Sequence, residues 1–157
     1  MASRILVIDD ERSILDLFRA ILEPEGYTIH LSQSASEALS AVEHVQPDLI
    51  ILDMKLGQQN EGMLLLQQLK SYPPTKDIPL LLCTAALNKV REYEETLRQQ
   101  DIPVLSKPFE IDELLHQVEQ LLYPTAAEVV SSQTTRSRSI RELEAFLPYP
   151  IIPVGMS

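Results

Sequence analysis

The chain predicts an α/β fold, a parallel sheet with helices on both faces. Three observations carry this. Short apolar runs rich in β-branched residues alternate with stretches of helical periodicity, five of each. All but the second of these runs are apolar throughout instead of alternating with polar residues, as parallel strands buried on both faces are. Acidic, hydroxyl and basic residues recur where the runs stop.

Ile5-Leu6-Val7-Ile8 reads as the first strand and runs into Asp9-Asp10-Glu11. Ile14, Leu15, Phe18, Ile21 and Leu22 repeat at helical spacing, and Pro24 and Gly26 end that helix. Tyr27-Thr28-Ile29-His30-Leu31 is the second strand. Ser34 with Glu37 three residues on is a capping-box sequence, and Ala35, Ala38, Leu39, Val42 and Val45 form the stripe of the helix it opens. Leu49-Ile50-Ile51-Leu52, after Pro47-Asp48, is the third strand and delivers Asp53 at its exit. A polar loop, Gly57-Gln58-Gln59-Asn60, leads to a third helix over Met63 to Lys70, closed by Pro73-Pro74.

Ile78-Pro79-Leu80-Leu81-Leu82-Cys83 is the fourth strand and ends at Thr84. Val90, Tyr93 and Leu97 give the next helix a thin apolar stripe, the other faces carrying Arg91, Glu92, Glu94, Glu95 and Arg98. Ile102-Pro103-Val104-Leu105 is the fifth strand; proline cannot donate to a ladder, so Pro79 and Pro103 fit an edge or a strand start. Ser106-Lys107-Pro108-Phe109 follows, then an amphipathic helix on Ile111, Leu114, Leu115, Val118, Leu121 and Leu122, ended by Tyr123-Pro124. The domain reading is therefore residues 1–123 as one α/β unit and 124–157 as a tail. In the tail, residues 131–139 have linker composition, Ile140, Leu143, Phe146 and Leu147 fit one side of a short helix, and Pro148, Pro150 and Pro153 lead into extended chain.

The composition narrows the function classes. A net charge of -10 argues against nonspecific nucleic-acid binding, which needs a basic footprint. One cysteine, Cys83, excludes an intramolecular disulfide and a cysteine-based zinc cluster. No signal-peptide pattern and no apolar run of spanning length appears, so a cytoplasmic protein without a membrane partner is expected. His30, His44 and His116 lie on separate elements without ligand spacing.

Right-handed crossovers put every strand's carboxyl end on one edge of the sheet. Asp9, Asp10, Asp53, Thr84 and Lys107 all fall there, where open α/β sheets bind ligands. Taken singly, each has an ordinary explanation: acids favour a first helical turn, and a lone lysine is usually at the surface. Gathered, the three carboxylates repel; two unit charges about 5 Å apart cost on the order of 3 kcal/mol at an effective dielectric of 20. A fold that gathers them needs a cation, and oxygen-only ligands that leave room for water and phosphate oxygens suit Mg²⁺. A carboxylate there can act as a nucleophile toward phosphorus, with a threonine hydroxyl and a lysine near the new phosphate.

Asp9-Asp10, Asp53, Thr84-Ala85 and Lys107-Pro108-Phe109, on five βα units over residues 3 to 123, resemble the receiver domain of two-component response regulators, in particular single-domain, chemotaxis-type receivers. The resemblance implies a flavodoxin-like (βα)5 three-layer sandwich with strand order 2-1-3-4-5, an order for which a receiver of this family is a standing example. It implies Asp53 as phosphoacceptor, and Mg²⁺ held by Asp9, Asp10, Asp53 and the backbone carbonyl of Lys55. It further implies Thr84 as the switch hydroxyl, Ala85 as the small residue that leaves the phosphoryl group accessible, Lys107 as its cationic contact, and a cis bond from Lys107 to Pro108. The chain departs from the family pattern in four places. Gly57 stands where proline is usual, and Glu61 where glycine is usual, with Gly62 marking one inserted residue. Val104 stands where a switch aromatic is usual, and the fifth strand that carries it lacks the usual Gly-Ala before it.

The expected function is thus a phosphoacceptor, not an enzyme. A histidine kinase or phosphotransfer protein would phosphorylate it, and it would signal to a downstream protein through protein–protein contact, without direct DNA binding. No output domain fits after Pro124. A phosphorylation-independent interaction module on the same fold is the alternative, favoured by Val104. A phosphate-ester hydrolase is disfavoured, because Lys55, not an acid, stands two residues past Asp53.

Overall fold

In a computed structural model of the chain, residues 2–57 and 61–124 are described. The expected tail helix, the linker and residues 58–60 of the polar loop lie outside those residues. Five parallel strands, β1 (Arg4–Ile8), β2 (Thr28–Ser32), β3 (Leu49–Leu52), β4 (Leu80–Thr84) and β5 (Val104–Ser106), form one sheet in the order β2-β1-β3-β4-β5. This is the flavodoxin-like arrangement. α1 (Arg12–Leu22) and α6 (Ile111–Leu122) cover one face, and α2 (Ala35–Val45), α3 (Glu61–Ser71), α4 (Leu87–Glu92) and α5 (Glu94–Gln99) cover the other.

Side chains of one strand point to opposite faces in turn, so each strand divides between two cores. Leu6, Ile8, Ile50, Leu52 and Leu82 join Val42, Met63, Leu66 and Leu69 on the α2–α5 side. Ile5, Val7, Ile51, Leu81 and Cys83 join Leu15, Phe18, Leu114 and Val118 on the α1–α6 side. Both faces are apolar, which is why the runs of β1, β3 and β4 show no alternation, while β2, at the sheet edge, carries Thr28 exposed. The Phe18 and Phe109 rings meet with centroids 5.4 Å apart, tying the loop after β5 to α1.

Both strand prolines sit at strand starts. Pro79 and Pro103 lie just before β4 and β5, and their carbonyls accept from Ile50 and Leu82 N–H groups at 3.0 Å each. β4 begins two residues later than the apolar run, because Ile78 is held in a turn: its N–H reaches Thr75 O at 3.0 Å and its carbonyl takes Lys70 Nζ at 3.1 Å. Lys70 is half-buried in that turn, and burial lowers its ammonium pKa below the ordinary value.

Two local expectations are corrected. The single helix expected after β4 is two six-residue helices that meet at Tyr93, with φ −114° and ψ 18°. Val90 and Leu97 are its only fully buried residues, with Leu87 and Tyr93 packed part-buried beside them, and helices this short depend on such packing. The Tyr93 N–H accordingly reaches back three residues to Val90 O at 3.0 Å, the tighter 3₁₀ spacing. At α2, Ser34 Oγ accepts the Glu37 N–H at 3.2 Å, but the Glu37 carboxylate reaches the N–H of Gln33, not of Ser34. The reciprocal half of the box is displaced by one residue.

Candidate metal centre at the carboxyl edge

The ladder continues one residue past three strands. Asp9 N–H bonds Ser32 O at 3.1 Å, Asp53 N–H bonds Ile8 O at 3.0 Å and Lys107 N–H bonds Thr84 O at 3.0 Å. These bonds fix the backbone of each polar residue at the exit of its strand, so its side chain springs from a rigid point. Asp9, Asp10 and Asp53 each bring a carboxylate oxygen within 4.8 Å of the others. Asp9 and Asp53 are 2% and 6% exposed, while Asp10 faces solvent.

Lys107 Nζ donates to Asp9 Oδ2 at 2.6 Å and lies 3.8 Å from Asp53 Oδ2. Three backbone N–H groups hold the carboxylates: Glu11 on Asp9 Oδ1 at 2.9 Å, Lys55 on Asp53 Oδ1 at 3.2 Å, and Gly57 on Asp10 Oδ2 at 3.2 Å. Burial raises the Asp53 pKa; the Lys107 ammonium opposes this and Asp9 adds to it. For Lys107, burial pulls the ammonium pKa down, but the Asp9 hydrogen bond and the charges of Asp53 and Asp9 carry it above the ordinary value. Three carboxylates against one ammonium leave an excess of negative charge. All the donors are hard oxygens, which fits a small divalent cation.

Thr84 is fully buried, and its Oγ1 accepts the Ala86 N–H at 3.0 Å. Ala85 is exposed beside it, and the Lys107–Pro108 peptide bond is cis. Val104 is fully buried in β5 among Leu82, Val90, Leu97 and Ile102. Cys83, one residue before Thr84, faces the other core, and burial pushes its thiol up to about 12.

Two residues of the site carried no assigned role in the sequence. Gly57, at φ +63°, turns its N–H onto Asp10. Gly62 lies under the Asp53–Met54 backbone, where an added Cβ would come within 2.3 Å of Met54 O and 2.6 Å of Asp53 O. In the sequence Gly62 marked only the inserted residue, and this close backbone approach is what requires glycine there.

A family model for the response regulator receiver domain matches residues 5–119. Among curated proteins, the chain is 34% identical over 122 residues to the DNA-binding dual master transcriptional regulator RpaA of Synechocystis, a match covering 78% of this chain and 50% of the relative. It is 34% identical over 128 residues to the response regulator MprA of a Mycobacterium species, covering 82% of this chain and 54% of that protein. Among solved structures, the receiver domain of NtrX from Brucella abortus superposes with a TM-score of 0.67 at 30% identity, covering 77% of this chain and 99% of that one. A CheY-like receiver domain protein from Methanospirillum hungatei superposes with a TM-score of 0.66 at 28% identity, covering 78% and 94%.

The chain spans about half the length of the curated relatives it matches. The expectation of a partner set without direct DNA binding is overturned by the RpaA match, since that relative is named as DNA-binding. The acidic balance describes this chain's own surface and carries no information about what such a domain works with. Among the described residues, no helix is long and apolar enough to cross a membrane.

Proposed function

The chain belongs to the response regulator receiver domain family, a signalling module of two-component systems, and from that membership we propose that it accepts a phosphoryl group on Asp53 from a histidine kinase or phosphotransfer protein. The phosphorylated form then signals through an altered protein-binding surface. The observation that carries this is the gathering of three carboxylates within 4.8 Å beside a largely buried ammonium. Stability alone does not account for such a cluster. We further propose that residues 1–123 form the receiver and 124–157 a separate tail.

Each residue has a chemical part. Asp53 Oδ1 is held by the Lys55 N–H, which leaves Oδ2, on the Lys107 side, as the attacking atom. That oxygen supplies the electron pair of the new P–O bond. The donor's P–N bond breaks, and its pair stays on the imidazole nitrogen. Lys107 already stands between Asp9 and Asp53, so it meets the incoming negative charge without leaving the site. Asp9, Asp10, Asp53 and the Lys55 carbonyl would hold Mg²⁺, which when bound neutralises charge on the phosphoryl oxygens. Exposed Ala85 keeps the approach open, and Thr84 offers its hydroxyl to the product. With Mg²⁺ and acetyl phosphate, the protein is expected to gain one acid-stable, base-labile phosphoryl group, and EDTA to abolish the gain. Labelling that ignores EDTA, or no labelling at all, would defeat the reading.

One observation favours a phosphorylation-independent module instead. Val104 is buried, β-branched and stiff, so β5 has no ring to swing. On the phosphoacceptor reading, the response to phosphorylation runs through Thr84. Its hydroxyl turns from the Ala86 N–H to the phosphate and loosens the start of α4. Amide chemical-shift changes are then expected at Thr84 and Ala86 to Val90, with little at Val104 and α6. A labelled protein whose Thr84–Val90 amides do not shift would select the phosphorylation-independent module.

A further inference from the structure

The edge of the sheet opposite Asp53 carries a groove with a volume of about 780 Å³. It is lined by Arg4, Thr28, Asp48, Pro79, Leu122 and Tyr123. Arg4 and Thr28 open β1 and β2, and Asp48 and Pro79 directly precede β3 and β4, so the groove runs across the strands' amino ends. Its polar groups are largely paired. The Arg4 N–H donates to Asp48 Oδ2 at 2.8 Å, and the Tyr123 hydroxyl bonds Ser3 Oγ. That bond fixes the Tyr123 ring, yet the residue remains 55% exposed, so a rigid aromatic face stands open at the rim. Nothing in the acid-centred chemistry uses it.

We propose that this groove is the docking site for the chain's own segment Pro148-Tyr149-Pro150-Ile151-Ile152-Pro153-Val154. Three features of the page point to this occupant. The described chain leaves α6 at Tyr123-Pro124, on the rim of the groove, so the tail starts at its own site. The segment combines three prolines with Tyr149, Ile151, Ile152 and Val154. Prolines hold φ near the extended polyproline range, so such a segment loses little entropy on docking to a groove that offers the Tyr123 ring beside Leu121, Leu122 and Pro79. Finally, the tether is short. Roughly two dozen residues separate Pro124 from Pro148, and a random coil of that length has a root-mean-square reach of about 25–30 Å. That sets an effective concentration on the order of millimolar, enough to fill a weak site. The proposal does not depend on the phosphoacceptor reading, because the groove lies at the opposite edge of the sheet.

The test uses the full chain carrying Ser157→Cys and a nitroxide on that cysteine. Cys83 is buried and its thiol stays protonated at neutral pH, so the label goes to position 157 alone. Selective broadening of the Arg4, Thr28 and Leu122 amide resonances is expected, with Thr84 and Lys107 unaffected. Adding Ile151→Asp and Ile152→Asp should remove the broadening. Three outcomes would overturn the proposal: no selective broadening; broadening centred on Val90 to Leu97; or broadening seen equally when isotope and nitroxide sit on different molecules, which would mean docking onto a second copy.

Discussion

Replacing Lys107 by Met is expected to destabilise the metal-free protein by about 3–5 kcal/mol, the usual cost of removing one partner of a buried pair. Lys107 is the cation at 2.6 Å from Asp9, whose side chain is 2% exposed, and at 3.8 Å from Asp53. Without it, two buried carboxylates face each other with only N–H dipoles for company. Methionine preserves most of the volume, so the loss reports charge and not packing. Denaturant unfolding in EDTA measures it, and added Mg²⁺ should restore more stability to the variant than to the parent. The pH dependence has a definite sign. The Lys107 pKa is raised in the folded state above the ordinary 10.5. The stability it confers is therefore complete below that pH and is lost as pH rises through the folded value. A variant as stable as the parent in EDTA would mean the carboxylates are solvated well enough to need no lysine.

Gly62→Ala is the second large effect, and here two terms compete. Alanine in a helix is favoured over glycine by about 1 kcal/mol. At Gly62, however, the new methyl meets Met54 O at 2.3 Å and Asp53 O at 2.6 Å, and these are backbone atoms that cannot rotate away. Overpacking of that kind costs typically about 1–3 kcal/mol and occasionally more, so the clash outweighs the propensity gain. A net loss of up to about 2 kcal/mol is expected by denaturant titration. Because the displaced backbone belongs to Asp53, phosphorylation should slow as well. Gln67→Ala, on the exposed face of the same helix, is the control and should be neutral. Equal stability for the Gly62 variant would show that the loop yields freely.

The strands and the site were legible in the sequence for one reason: both depend on what sits at the end of an apolar run. A parallel sheet buried on both faces writes itself as uninterrupted Ile, Leu and Val. The ladder bonds made by Asp9, Asp53 and Lys107 extend those runs by one residue to the carboxyl edge. What could not be read was set by contacts distant in sequence or by marginal packing. The break at Tyr93 follows from a segment with only Val90 and Leu97 fully buried. The late start of β4 follows from the Lys70 ammonium on the Ile78 carbonyl. The displaced cap of α2 depends on which of two adjacent N–H groups the Glu37 carboxylate reaches. The pairing of Lys107 with Asp9 joins residues 98 positions apart, and nothing in local sequence specifies it. The expectation about DNA failed differently, because a domain's own charge does not report what its relatives bind.

The central claim is that the phosphoryl group resides on Asp53. It is tested most directly by treating the acetyl phosphate-labelled protein with borohydride, which reduces an acyl phosphate to an alcohol, and locating the reduced residue by peptide mass spectrometry. The account predicts reduction at residue 53 alone, only with Mg²⁺ present, and none in Asp53→Asn. Reduction mapped to Asp9 or Asp10, or undiminished labelling of the Asp53→Asn protein, would contradict it.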